Sequence, residues 1–384
     1  MGDAVSWSLM PKRLTLTMIS IRKWMKRHRK PLFISVSVLG AVCIYYQMRK
    51  AYRKKHLCKE DEYEASTFLM QQAEQHIETQ LRVHFQKIQR ISDVTILPSI
   101  LPRLKSQLIS LIGLSKVKQE LEQVKEGFPL NTQENYELLK RLQIPSFTYV
   151  MCGMCVLTIT VLFVRVQFNI LARHLYVATA EDISSVEHLD KKGALSKYCR
   201  KKYILLSEFL ANEGIEKLSS TVEAAMIETL ASKPLLEICS LADVREVFEI
   251  VYGKTEHRHV DWLIYMIFEA LMQNDRDKSD AASHHEVETL HQLLYETKCV
   301  FESQEFKEVL RASFEVVLDL VLEELESQFK DGNVSLLLLA KLLVSLSEIA
   351  VLLLEQSDER GFIQSVIDLQ KVQSFCASVY SSNG

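Results

Sequence analysis

The chain has 384 residues, 48% hydrophobic and 25% charged, enough for one large domain or two ordinary ones and close to globular averages. Its 11 Gly and 7 Pro are too few for disordered or collagen-like sequence, and no Pro follows Pro234, which suits long helices. The net charge of −3 hides a polarity: residues 1–56 hold 13 Lys/Arg against the single acid Asp3, so the remainder is strongly acidic.

Residues 1–21 are read as a flexible N-terminal extension. Its opening "MGDAVS" fits an acylation pattern short enough to recur by chance. Next, "RKWMKRHRKPLFISVSVLGAVCIYYQMRKAYRKK" covers 22–55. Pro31 to Met48 is 18 residues without a charge, about 27 Å of helix and enough to cross a hydrocarbon core. Trp24, Lys26, Arg27, Arg29 and Lys30 precede the run, and Arg49 and Lys50 follow it. Cations that snorkel, with an interfacial aromatic, predict contact with lipid head groups and one membrane anchor. A cleaved leader does not fit: a basic run follows the apolar one and no small-residue cleavage site lies between. Six cations on one side face five on the other, so charge does not orient the anchor.

Residues 56–384 are expected to form one cytosolic helical domain. Ile77, Leu81, Phe85, Ile88 and Ile91 repeat at helical spacing. Pro98 and Pro102 should end that helix, and Leu101, Leu104, Leu108 and Leu111 begin another. Asn131 with Glu134 resembles a capping arrangement for a helix at about 132–143, closed by Pro145. From Tyr149 to Val164 there is again no charge, yet the apolar pattern continues past Arg165 to Leu175. A pattern outrunning any bilayer, with Gln167, Asn169 and Arg173 inside it, is read as a buried central helix and not a second span. Further helices are expected at about 195–211, 215–231, 241–252, 259–273, 286–298, 303–329, 334–356 and 361–381. In the helix at 334–356, Lys341 and Glu348 share one face, so it belongs in a bundle and not in lipid. The fold expected is all-α: an elongated helical bundle around a long central apolar helix, with one N-terminal transmembrane helix.

Catalytic signatures are missing. The sequence has no P-loop, G-x-G-x-x-G, G-x-S-x-G or H-E-x-x-H. Its eight Cys form no regular framework and read as reduced, mostly apolar fillers. Cys152 and Cys155 have redox spacing but lie inside an apolar helix. His284, His285, Glu288 and His291 read as a solvated helix start and not a zinc site, and His257 and His259 as exposed residues at another. No enzyme, cofactor, metal, small-molecule substrate or nucleic-acid partner is expected. The basic head brackets an apolar run, which suits a membrane surface.

Several blocks carry a resemblance. "WMKRHRKPLFISVSVLGAVCIYY" is similar to the N-terminal anchor of the peroxin-3 family, and "VHFQKIQRISDVTILPSILPRL" (83–104) resembles its plant branch. "LLKRLQIPSFT" (138–148), "RVQFNILARHLYVATA" (165–180), "LAKLL" (339–343) and "FIQSVIDLQKVQSFCASVY" (362–380) resemble further family blocks. The resemblance implies an all-α cytosolic body on a single-pass peroxisomal anchor. It also implies docking of peroxin-19, the soluble receptor for newly made peroxisomal membrane proteins, as a helix in a groove. Carried over by position, the groove residues are Tyr136, Leu138, Leu139, Lys140, Arg141 and Leu142. Leu139 stands where the family has Trp, and Lys140 and Arg141 where it has two acids. Leu139 is the first choice for groove surface. Arg165, Gln167 and Asn169 match a family block and are expected to be buried structural anchors that need partners. The charge-reversed block leaves an alternative: an adaptor tethering the peroxisome to a different partner, such as a cytoskeletal or inheritance factor.

Overall fold

The structure, a computed structural model, describes residues 60–112, 119, 133–184, 195–210, 215–232, 240–276, 284–328, 336–355 and 361–382. The extension and the anchor, including every head-group residue named above, lie outside the described residues. Among those that are described, every regular element is helical: α1 (Glu60–Ile91), a π-turn (Ser92–Ile96), α2 (Leu97–Ile112), α3 (Gln133–Ser184), α4 (Lys197–Phe209), α5 (Ile215–Ser232), α6 (Leu241–Arg276), α7 (His284–Glu302), α8 (Gln304–Gln328), α9 (Leu336–Leu352), α10 (Phe362–Asp368) and α11 (Gln370–Ser381).

The chain separates into two compact units. In the smaller, which includes 60–86 and 176–184, the His84 and Tyr176 rings lie 6.0 Å apart. The larger contains 87–175 and everything from Leu195 onward.

In the larger unit, α3 is the axis. Every residue from Ser146 to Ala172 is buried. By length and composition Glu137–Tyr176 passes for a membrane crossing, but its most apolar stretch is wholly covered by protein. The cover comes from many sides. Phe147 meets Phe248 of α6, and Phe163 meets Phe301 of α7, each at 5.6 Å between rings. Ser146 lies 3.4 Å from the Ser347 hydroxyl of α9. From Phe301 the rings continue to Phe306 of α8 at 4.8 Å and on to Phe375 of α11 at 6.0 Å. This is the central helix that the apolar pattern predicts.

Three expected breaks differ. Pro145 lies inside α3, so the helices expected at 132–143 and 149–175 are one. An interior proline removes a hydrogen bond and costs about 3 kcal/mol or more. Burying the long apolar face beyond it offsets that cost. Pro98 and Pro102 do not interrupt the chain either: α2 follows α1 through the π-turn, where Leu97 N–H donates to Ser92 O. A Pro98 ring crowds the carbonyl four residues back, and a widened turn relieves that crowding. Finally, 241–273 is one helix, α6, running through Gly253 and His257. Val251, Tyr252, Thr255, His259 and Trp262 form one buried stripe across that point, and burial outweighs the ~1 kcal/mol that a helical glycine costs. The reverse holds at 361–381, where Leu369 separates α10 from α11.

Local signals place the other ends. Ser240 and Asp243 cap α6 reciprocally, Ser240 N–H to Asp243 Oδ2 at 2.9 Å and Asp243 N–H to Ser240 Oγ at 3.2 Å. The Ser303 hydroxyl accepts from Phe306 N–H at 3.1 Å and starts α8. Gly361, at φ +75°, turns the chain into α10. On α9, Lys341 is exposed and Glu348 half-buried, so the polar face that they share points outward.

Gly153 shows how closely α3 is packed. A Cβ there would lie 2.9 Å from Leu353 Cδ1. Gly153→Val should therefore cost about 1–3 kcal/mol through overpacking. Gly153→Ala should cost less, because the Leu353 side chain can turn aside and the helix regains up to ~1 kcal/mol. Urea unfolding of the two variants checks that order.

Candidate partner-docking site

The first turns of α3 carry the carried-over groove residues. Helical geometry sends positions 139, 142, 143, 146 and 147 inward and positions 137, 140 and 141 outward. Leu139 is 0% exposed and Leu142 is buried too. Leu138 is half-buried, and Lys140 and Arg141 are exposed. Of Tyr136 only the backbone, within α3, is described. The first choice for groove surface thus lies in the core, and a fully buried side chain offers a partner no area in this conformation. The reason is visible in retrospect: Leu139, Leu142, Ser146 and Val150 continue the inward stripe of the central helix toward its N-terminus. What this turn shows to solvent is Glu137, part of Leu138 and two cations.

At the other end of the buried run, α3 carries its polar groups, and each finds a partner on another segment. Arg165, 3% exposed, binds Asp93 of the π-turn in fork geometry: Nε to Oδ1 at 3.2 Å and Nη2 to Oδ2 at 2.7 Å. Burial pushes the Asp93 carboxyl above its ordinary value, against the pull of the guanidinium. Asn169 Oδ1 accepts from Gln89 Nε2 at 2.6 Å, and Gln167 donates to the Tyr203 carbonyl of α4. The Tyr203 hydroxyl pairs with Thr297 of α7 at 2.6 Å. These three residues are the buried structural anchors that were expected. Their partners were not legible: Asp93 lies 72 positions from Arg165, and nothing in its own stretch pairs it with an arginine.

One turn on, Arg173 pairs with Glu296 of α7 and donates to the Val379 carbonyl at 3.1 Å and to the Ser382 Oγ at 2.7 Å. His174 Nε2 meets the other oxygen of Glu296 at 2.7 Å. Burial, seconded by the neighbouring Arg173 charge, lowers the His174 pKa below its usual value.

Thiol chemistry finds no foothold here. Cys152 and Cys155 are free and buried; burial pushes the first up to about 12 and the second well above its ordinary value. A thiol held protonated is neither nucleophile nor metal ligand. His284, His285, Glu288 and His291 are exposed on α7, and no group of three or more metal-ligating side chains assembles among the described residues. His259, expected at an exposed helix start, is 1% exposed on the inner stripe of α6.

Comparison with known proteins now decides the family. The Peroxin-3 family model matches residues 129–382. The chain belongs to the Peroxin-3 family. Peroxisome biogenesis protein 3-1 of Arabidopsis thaliana is 29% identical over 365 residues, covering 94% of this chain and 98% of that protein. Its sister, Peroxisome biogenesis protein 3-2, is 28% identical over 368 residues with the same coverage. Peroxisomal biogenesis factor 3 of Homo sapiens is 24% identical over 389 residues, covering 94% and 97%. These homologues support a role in peroxisome biogenesis and association with the peroxisome.

Two predictions concern the anchors of this Peroxin-3 chain. Arg165→Met leaves Asp93 charged and half-buried without its partner and should cost about 3 kcal/mol; adding Asp93→Leu should restore most of that loss in urea unfolding. For His174, a folded-state pKa below the unfolded ~6.5 means that the unfolded chain takes up the proton first. Its contribution is therefore complete above about pH 6.5 and is lost as pH falls toward the folded value. Melting temperature should fall between about pH 7.5 and about pH 5.5, and His174→Gln should flatten that fall.

Proposed function

We propose that this chain is a docking factor of the peroxisomal membrane. Residues 22–55 form its single-pass anchor, with Trp24, Lys26, Arg27, Arg29, Lys30, Arg49 and Lys50 against peroxisomal membrane lipids. The bulk faces the cytosol and receives a peroxin-19-like import receptor, carrier of newly made membrane proteins, by laying a helix of the receptor in a groove. No chemistry is involved. The observation that carries this reading is the Peroxin-3 match over 129–382, which includes the block at 138–148 and the helices from α3 to α11.

The site is taken to be the surface at the start of α3. Leu138 supplies apolar area and Lys140 and Arg141 supply charge, joined by Tyr136. Leu139 and Leu142 support that turn from beneath, since both are buried. The exposed Lys140–Arg141 pair, where the family carries two acids, favours a second reading: an adaptor for a different partner, cytoskeletal or inheritance-related. Exposed charges act mainly on association rate and on partner choice.

The test is retention of peroxin-19 from the same organism on vesicles carrying the full chain. Retention that changes about tenfold, in either direction, on reversing Lys140 and Arg141 to Glu supports docking at this turn. Failure to retain peroxin-19 above bare vesicles overturns it and leaves the adaptor reading. Leu139→Trp should not strengthen retention. It should lower the melting temperature instead, because a larger ring overfills a closed site at a cost of about 1–3 kcal/mol.

A further inference from the structure

Where α1 passes through the π-turn into α2, the chain shows apolar side chains to solvent. Val94 is 65% exposed and Ile91 44%. Positions 87, 90, 91 and 94 follow the i, i+3, i+4, i+7 spacing that puts residues on one helix face, and all four are exposed. Pro102 and Arg103 are exposed farther along, on α2. The face is held in place from behind. Asp93 is fastened to Arg165, Ser92 is wholly buried, and Leu97, Leu101 and Leu104 fill the core. A surface already fixed in shape loses little freedom when it binds, and π-turns recur at functional sites.

The charge around this face is one-sided. Asp93 is the only acid between Lys87 and Ile112, and its carboxylate is taken by Arg165. Lys87, Arg90 and Arg103 are exposed, and among the described residues they enter no ion pair. Several other surface cations of this acidic body are matched, Arg311 with Glu256 at 3.2 Å and Lys254 with Glu228 at 2.9 Å. An apolar centre with a cationic rim complements a helix that carries an apolar stripe between acidic flanks. An anionic membrane is a poorer match. Helices that lie on lipid present a broad apolar face with large aromatics. The stretch 87–112 has no aromatic residue, and Leu97, Leu101, Leu104 and Leu108 are buried.

We propose that the face carrying Lys87, Arg90, Ile91, Val94 and Arg103 docks an acidic amphipathic helix of a partner protein. Ile91 and Val94 take its apolar stripe, and the three cations take its carboxylates. The face uses no residue of the docking turn at the start of α3 and does not rest on that reading.

The full chain in phosphatidylcholine vesicles is titrated with a fluorescent peptide of ~18 residues, five helical turns, with Leu along one face and Glu on the other. Saturable binding is expected. Ile91→Ser with Val94→Ser, and separately Arg90→Glu with Arg103→Glu, should each weaken it about tenfold or more. Two reversals elsewhere, Lys197→Glu with Arg200→Glu on α4 and Lys140→Glu with Arg141→Glu on α3, should leave it within about twofold. All the altered residues are exposed, and an unchanged melting temperature confirms that the fold is intact. No saturable binding overturns the proposal. So does equal binding of a scrambled peptide of the same composition, or binding that survives either pair of changes on the face. A second population of vesicles containing phosphatidylserine tests the lipid. If these cluster with the first, lose that clustering in the same two variants, and the peptide does not bind, the face belongs to a membrane and the proposal falls.

Discussion

A helix with no charge for sixteen residues must be taken out of water, and the larger unit is organised around meeting that demand. Side chains of α5, α6, α7, α9 and α11 all reach α3, along with the π-turn and a main-chain carbonyl of α4. Apolar contact alone is non-directional and would let such helices slide past one another. Direction enters where the uncharged run ends. Arg165, Gln167, Asn169 and Arg173 bind their partners in fixed geometries, and those partners lie on the π-turn, α1, α4, α7 and α11. A core with a greasy middle and a polar end is thereby held in one register. Each polar group there is expensive to leave unpaired.

The architecture was legible because hydrophobic period and helix content are properties of the chain itself. The burial of 149–164 followed from a pattern that ran on past Arg165, something a lipid-facing helix does not do. The boundaries were less legible, and for one reason. Pro98, Pro102, Pro145 and Gly253 are weak interruptions in a chain whose buried faces continue across them. The sequence displays the local cost of such a residue, from ~1 kcal/mol for the glycine to about 3 kcal/mol or more for a proline. It does not display the packing that outweighs it. Leu369 errs in the other direction: no proline or glycine marks the break between α10 and α11.

The candidate docking turn was legible by position and not by orientation. The sequence put 138–143 on a helix of its own closed by Pro145, whereas the structure makes that stretch the first turns of the long helix. Which side chains face outward depended on the phase of that helix, and the phase was set by the buried stripe farther along. Once Val150, Ser146 and Leu142 are fixed inward, Leu139 is carried in with them. The π-turn belongs to the same class of hidden information. Its Asp93 became the partner of a buried arginine only because the chain returned to it after more than seventy residues.

The far end of that polar set bears on how the molecule is made. Arg173 of the axis donates to carbonyl oxygens of Val379 and Ser382, 206 and 209 positions later. At ordinary ribosomal speeds of 5–20 residues per second, about 10–40 s separate synthesis of the two sides of that contact. Throughout the interval the nascent polypeptide displays an oily segment whose final cover does not yet exist. Such a segment is the kind of sequence that chaperones hold and that targeting machinery mistakes for a membrane span, so this fold depends on being shielded until its own tail arrives.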